Sequence, residues 1–559
     1  MAEKRDCGAG GIGLAAFAAL TAAFCLLPLV CVFLAAFLAD SETLAHLTRT
    51  VLPRYMGTTL ALVLLVGVGT LVAGTASAWL VAMTEFPGRR LLEFALVIPL
   101  AFPAYVMAYA YTHLLDHPGI VQTGLREIAG WGPQDYWFPE IRSVGGAATM
   151  LVLVLYPYVY LLARAAFLCQ SAATFHAARS LGRSRSGAFW SVSLPMARPA
   201  IAAGVLLAAM ETIADFGTVS YFGVQTFATG IYSSWFSLAD RGAAAQLASG
   251  LLVFALLLAS LEQATRGRAR YHVGSEKESM TRIRLQGAAR AAASLFCSIP
   301  VAFGAVVPAI ALCSMAIGSE QDILSARYLD FTRNSLTLAA TASVATVTAA
   351  IALGSSGHVL PGRLSRAALA IGRLGYAVPG GVIAVGLLAP FAAFDNALDA
   401  WARETFGLST GLLFTGSIWL LVGACSIRFL AAAIGAYEGG ISSVAPNMNA
   451  AARVLGHGPI GMVRKVHLPL LRPSLLAAAL IVFVDVMKEL PATMIMRPFN
   501  FDTLAVQAHR LAADERLEGA AVPSLMIVCL GLLPVILLMR GIGKDAEAGR
   551  LLSGRGNSP

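Results

Sequence analysis

The chain has 559 residues, of which 57% are hydrophobic and only 13% charged, well below the quarter or so that soluble domains carry. Its net charge of +9 (40 − 31) would suggest nucleic acid in a soluble protein. Here the basic residues sit in short loops between apolar runs, where they set membrane orientation, so nucleic-acid binding is excluded. Six of the eight cysteines (Cys25, Cys31, Cys297, Cys313, Cys425 and Cys529) lie inside apolar runs without paired spacing, and no disulfide or zinc framework is indicated.

Apolar runs long enough to cross a lipid bilayer, about 20 residues each, occur at 11–39, 57–83, 91–114, 144–168, 198–222 and 243–262. The first lacks a convincing cleavage site and is expected to be a retained helix. A polar linker over 263–287 carries Arg266, Arg268, Arg270, Lys277, Arg282 and Arg284. A second set follows at 288–317, 333–357, 365–393, 409–436, 473–495 and 520–540. The expected fold is all-α and polytopic: about 12 transmembrane helices in two six-helix halves, 1–262 and 288–559, joined by the 263–287 linker.

Lys4 and Arg5, the segment 85–90, the linker, and Lys544, Arg550 and Arg555 fall on one side, expected to be cytoplasmic together with both termini. The opposite loops are more acidic, with Asp40, Glu42, Asp135, Glu140, Glu320, Asp322, Asp395, Asp399, Asp514, Glu515 and Glu518.

One loop occurs twice. Ala177-Ala178-Arg179-Ser180-Leu181-Gly182 is closed by Val192-Ser193-Leu194-Pro195, and Ala451-Ala452-Arg453-Val454-Leu455-Gly456 by Val466-His467-Leu468-Pro469. At an offset of 274 the windows 177–199 and 451–473 share 11 of 23 residues. Pro87-Gly88-Arg89 matches Pro361-Gly362-Arg363 at the same offset, and Pro103 matches Pro379 at 276. These pairs imply two similar halves in parallel about an axis along the membrane normal, with a pathway between them. Ala177, Ala178 and Leu181, at i, i+1 and i+4, should offer one small, smooth face to another protein. Gly182 should permit a turn that a side chain would obstruct.

The pattern Ala-Ala-x3-Gly-x9-Val-x-Leu-Pro resembles the EAA loop of ABC importer permeases, which forms the coupling helix seated on an ATPase subunit. His176 and Ala450 stand where the family has its leading Glu. The resemblance carries over onto Ala177, Ala178, Gly182, Leu194, Pro195, Ala451, Ala452, Gly456, Leu468 and Pro469. Two downstream windows, Ala214 to Tyr232 and Lys488 to Val506, resemble the fused permeases of bacterial ferric iron importers; related fused permeases serve thiamine, phosphonates and polyamines. The resemblance implies a type I permease fold in the bacterial inner membrane. It also implies a dimer of ATPase subunits on the cytoplasmic face and a periplasmic substrate-binding protein on the other.

Charges also fall within the apolar runs. Glu211 and Asp215 read as one helical face of the fifth run, four residues apart. Asp485, Lys488 and Glu489 occupy corresponding places in the eleventh. Rising 1.5 Å per residue from Arg198, Glu211 and Asp215 should lie roughly 20 and 26 Å from the cytoplasmic edge. Charges at that depth face a bundle interior or an aqueous cavity. They can line a cation pathway, or merely solvate helix ends with Asp485–Lys488 as a local pair.

No phosphate-binding loop is present, since Gly541-Ile542-Gly543-Lys544 lacks the spacing, so ATP hydrolysis is expected on a separate chain. No metal-ligand spacing, cofactor motif or catalytic constellation stands out, and His176 and His457 read as surface residues. The rival reading is a secondary transporter driven by an ion gradient through Glu211, Asp215 and Asp485. The duplicated loops argue against it, because such a carrier needs no ATPase socket.

Overall fold

A computed structural model describes residues 9–170, 172–267, 282–319, 321, 325–360, 362–442, 444 and 446–554. Lys4, Arg5, Arg268, Arg270, Lys277, Glu320, Asp322, Pro361 and Arg555 lie outside the described residues.

Eleven helices among the described residues are long and apolar enough to span a membrane. Five belong to the first half: Gly11–Leu38, Leu52–Met83, Val144–Leu168, Ser186–Ala214 and Arg241–Ala264. Six belong to the second: Gly287–Gly318, Ala326–Val359, Gly380–Phe406, Ile418–Ile441, Pro459–Met487 and Leu517–Pro534. The helix pair Arg89–Ala101 and Ala104–Ala129, bent by 94°, completes the first half if taken as one broken span. The count is then six plus six, as composition leads one to expect.

Proline explains the bend. Phe102 is extended (φ −85, ψ 126) and Pro103 opens the next helix, because the ring of a proline pushes the preceding residue out of the helical region. Val378 and Pro379 repeat the arrangement after a short 3-10 turn, Gly375–Ala377. This break corrects the run 365–393. It divides into an amphipathic helix Arg363–Leu374 and the span Gly380–Phe406. The span's last turns are polar to sequence inspection but internally satisfied. Asp395 accepts from the Thr415 N–H at 2.8 Å, and Asp399 pairs with Arg403 at 2.7 Å.

The repeated loops fold alike. The helices Ala172–Ser180 and Pro446–Val454 end at Gly182 (φ 82) and Gly456 (φ 78). The Arg183 N–H donates back to the Ala178 carbonyl (3.2 Å) and the His457 N–H to the Ala452 carbonyl (3.0 Å). Only glycine adopts this left-handed C-terminal turn freely. After one helical turn each chain enters a π-turn, Phe189–Ser193 or Val463–His467, and then the long helix Leu194–Ala214 or Leu468–Met487. The wider turn accommodates the following Pro195 and Pro469, which supply no N–H. The spans therefore begin at Ser186 and Pro459, ahead of the expected 198 and 473.

Each half lends its first helix to the other. Ala9–Leu38 packs on Ala326–Val359, Arg363–Leu374 and Gly380–Phe406, while Val307–Gly318 packs on Ala104–Leu115. One apolar core runs through both halves, with Met107 and Tyr109 from one and Val382 and Ile383 from the other. A feature absent from the sequence reading is a two-residue parallel sheet. Ile283–Arg284, at the end of the linker segment, pairs with Thr84–Glu85. Beside it the buried Arg89 binds Glu93 at 2.9 Å and Glu85 at 3.5 Å, and Arg164 also pairs with Glu93. The shared Pro-Gly-Arg motif of the first half is thus an internal tie.

Gly182→Ala or Gly456→Ala should cost about 1 kcal/mol locally, from forcing a side chain into the left-handed region. Hydrogen exchange read by mass spectrometry should show the loop amides opening about five times more often; unchanged exchange would contradict the capped turn.

Candidate functional site

The two halves meet at a break in corresponding helices. In the first half the helix stops at Ala214, and Asp215 is extended (φ −67, ψ 128). Its carboxylate accepts from the Thr218 N–H (3.1 Å), the Val219 N–H (3.2 Å) and the Thr218 hydroxyl (3.1 Å), closing the N-terminus of a short helix, Gly217–Tyr221. Glu489, its partner at the 274 offset, does the same for Pro491–Met496. It accepts from the Ala492 N–H (3.2 Å), the Thr493 N–H (3.1 Å) and the Thr493 hydroxyl (3.0 Å). Glu211 and Asp215 therefore do not share a helical face as the spacing suggested. A carboxylate that satisfies the orphan N–H groups of a new helix competes with continuing the old one.

Glu211 and Asp485, also partners at the 274 offset, remain in the last turns of their helices, and each meets a base from the second half. Lys488 binds Asp485 at 2.9 Å, the i,i+3 pair anticipated from spacing. Arg428 reaches Glu211 at 3.6 Å and Glu489 at 3.2 Å. A methyl group on Gly380 would come 2.5 Å from Glu489 and 2.7 Å from Arg428, so glycine is what leaves room for this pair. Sequence reading overlooked Arg428. Its signal was present: it is the sole charge in the first four turns of the apolar span Ile418–Ile441, and an intramembrane charge is a site candidate by default.

These six ionisable groups line one cavity of about 90 Å³, with Tyr105 and Tyr158. Four carboxylates face two bases, a formal charge of −2 (2 − 4). A water needs about 10–15 Å³ by this measure, so the space holds a few waters or one partly hydrated ion. Tyr105 is 4% exposed, and its hydroxyl has no hydrogen-bond partner among the described residues. No group of three or more His, Cys, Asp or Glu among those residues is placed to hold a metal ion in this conformation.

Beyond the cavity, aromatic side chains and an ion pair join the two halves. Tyr109, one turn beyond Tyr105, hydrogen-bonds His509 of the other half at 3.1 Å and stacks edge-on with Tyr221 at 4.8 Å. Farther along, Arg142 binds Glu515 of the other half through two contacts, 2.7 and 2.9 Å, and Asp116 at 3.0 Å. The Arg142 hydrogen bonds hold the Glu515 carboxyl below the usual glutamate range.

In the repeated loops Ala178 and Ala452 turn inward. Ala178 packs with Phe175, Ala188 and Trp79, and Ala452 with Met462 and Val463. Ala177, Ala450 and Ala451 face outward. Leu181 is 85% exposed and Leu455 74%. The two alanines thus lie on different faces of the loop helix, about 100° apart, because only one can point at the bundle. Leu194, Pro195 and Leu468 are half-buried, Pro469 is exposed, and the side chain of His176 is not among those described. In the second half His467 joins Asn449 (3.0 Å) to Tyr437 (3.4 Å), a polar tie from loop to spanning helix. In the first half the Trp79 ring instead packs at a tilt against Phe189 (4.6 Å) and Phe175 (6.3 Å).

Residues 70–270 and 346–542 each match the family described as binding-protein-dependent transport system inner membrane component. The chain is 25% identical over 526 residues to the Fe(3+)-transport system permease protein FbpB 2 of Haemophilus influenzae, covering 92% of this chain and 96% of the relative. It is 24% identical over 517 residues to the probable ABC transporter permease protein y4fN of Sinorhizobium fredii, covering 86% and 87%. The molybdenum transport system permease protein ModB of Escherichia coli is 29% identical over 151 residues, 27% of this chain and 62% of the relative.

The lowered Glu515 value fixes the sign of a pH dependence. The Arg142–Glu515 contact contributes fully above the ordinary glutamate range and is lost as pH falls through the lowered value. A spin-label pair across this contact should report a constant distance from neutral pH through the ordinary glutamate range and lengthening only below it. Glu515→Gln should show no such transition; a distance that changes near pH 6 in the parent protein would contradict the assignment.

Proposed function

Since the chain belongs to the binding-protein-dependent transport system inner membrane components, and so is a multi-pass permease subunit of an ABC importer, we propose that its cargo is ferric iron. The observation that carries the cargo reading is the acidic cavity between the halves, with carboxylates contributed by both and an excess of negative charge. The end-to-end likeness to an Fe(3+)-transport permease supports it. An oxyanion is the second reading, favoured by Arg428 and Lys488 and by the partial likeness to a molybdenum permease. Four carboxylates in a cavity this small would repel an anion.

In this reading residues 1–262 and 288–559 are the two translocating halves and 263–287 the cytoplasmic linker between them. Both termini and both repeated loops are cytoplasmic. Two ATPase subunits sit beneath the loops, one against the exposed face of Ala177 and Leu181, the other against Ala451 and Leu455. His176, Gly182, Leu194, Pro195, Ala450, Gly456, Leu468 and Pro469 complete the two loops, with the buried Ala178 and Ala452 keying each loop helix to its spanning helix. A periplasmic binding protein delivers cargo to the opposite face.

Closure of the ATPase dimer on ATP moves the loops, and the helices continuous with them through the π-turns carry the motion to Glu211 and Asp485. The contacts that must part on the outer side are Arg142–Glu515 and Tyr109–His509, both between halves. ATP shifts this equilibrium only as far as it binds one state more tightly than the other.

With the ATPase and binding protein reconstituted in liposomes, Glu211→Gln should lower uptake of radioactive ferric iron at least tenfold while ATPase subunits still co-purify. Unchanged uptake would remove Glu211 from the pathway.

A further inference from the structure

We propose that Arg428 is a tethered counter-ion occupying the place that a hard cation takes beside Glu211 and Tyr105, so that its return drives the cargo out of the cavity. The inference rests on the cationic-cargo reading above.

Arg428 is held from two sides that behave differently when the halves move. Glu489 belongs to its own half and is fixed by three backbone and hydroxyl donors, so the 3.2 Å contact with Arg428 travels as a unit. Glu211 comes from the other half and meets Arg428 at 3.6 Å, with no hydrogen bond shown for its carboxylate among the described residues. Separating the halves therefore parts Arg428 from Glu211 and leaves it on Glu489. Of the four carboxylates, Asp215 and Glu489 are occupied as helix caps and Asp485 by Lys488 at 2.9 Å. Glu211 is the one whose ion-pair partner, Arg428, belongs to the other half.

A second observation points to a ligand in the same cavity. The Tyr105 hydroxyl lines the cavity, is almost wholly buried and has no partner among the described residues. Buried hydroxyls are nearly always hydrogen-bonded, and one that is not calls for an occupant. A tyrosine oxygen next to carboxylates is a hard, oxygen-only donor set, suited to a small, highly charged cation and poorly matched to a soft metal. The cavity's size in this conformation, about 90 Å³, is enough for an ion.

The repeat shows that the exchange is built on one side only. Position 154, the equivalent of 428, is Val154, and the equivalent of Lys488 is Ala214, whereas the carboxylates are duplicated. At equal distance a trivalent ion attracts Glu211 three times as strongly as a guanidinium does. The cargo prevails while the halves are apart. Once they close, Arg428 returns with a like charge at contact distance, and the cargo leaves.

The test uses the full permease with its ATPase and binding protein, comparing the parent with Arg428→Gln, Arg428→Lys, Tyr105→Phe and the double variant Glu211→Gln/Arg428→Gln. Detergent-solubilised permease is incubated with ferric nitrilotriacetate, gel-filtered and assayed for retained iron; liposomes are assayed for uptake. Arg428→Gln should retain at least ten times the iron of the parent and take up iron at less than a tenth of its rate. The double variant and Tyr105→Phe should lose the retention or never gain it, and Arg428→Lys should restore most of the uptake. Parent-like uptake by Arg428→Gln, or retention no greater than the parent's, overturns the proposal. If Arg428→Gln does not assemble, parent-like uptake by both the double variant and Tyr105→Phe overturns it instead. An assembled parent complex that takes up no iron overturns the cargo reading and this inference together, whereas a working parent with an unaffected Arg428→Gln overturns this inference alone.

Discussion

Six ionisable side chains sit where the two halves meet within the spanning helices, and burying them without leaving a charge unsatisfied constrains everything around them. At a helix centre each would cost about 2.5–3.5 kcal/mol on insertion scales. The fold answers with backbone. It breaks the fifth and eleventh spans so that Asp215 and Glu489 receive N–H groups from the short helices that follow. Irregular backbone at membrane depth is tolerated only when enclosed by protein, and here the enclosure is the interface between halves. The remaining pair, Glu211 and Asp485, takes Arg428 and Lys488 as partners. Moving either half thus disturbs an electrostatic balance that the other half helps to hold.

Duplication supplies the frame and divergence supplies the site. The helix breaks at Pro103 and Pro379, the π-turns before Pro195 and Pro469, and the left-handed turns at Gly182 and Gly456 recur in both halves because each solves the same backbone problem. The charges that tune the cavity do not recur: both bases belong to the second half. The loop anchors diverge as well, with a Tyr437–His467–Asn449 chain in one half and a Trp79 aromatic cluster in the other. The two loops present similar outer faces and each packs an alanine inward, but the first adds an aromatic cluster where the second adds a hydrogen-bonded chain.

Much of this was legible in the sequence because apolar length and glycine–proline punctuation are strong local signals. The span Val144–Leu168 matches its expected limits, and the loop repeat located both π-turns without revealing them. What misled was polarity inside helices. The polar end of Gly380–Phe406 looked like a loop, since the partners of Asp395 and Asp399 come from residues 10–20 positions farther on. Asp215 and Glu489 looked helical because capping depends on where the next helix starts, which hydropathy does not encode. Arg428 went unremarked because its partners, Glu211 and Glu489, are 217 and 61 residues away in the chain. The inward turn of Ala178 likewise follows from contacts with Trp79 and Phe175 that no local pattern specifies.

The most direct test is the ATPase activity of the reconstituted complex, titrated with the periplasmic binding protein loaded with ferric iron or left empty. Stimulation by the iron-loaded form alone is the predicted result. Equal stimulation by both forms, or stimulation only when the binding protein carries an oxyanion, would contradict the account of an acidic, cation-conducting cavity.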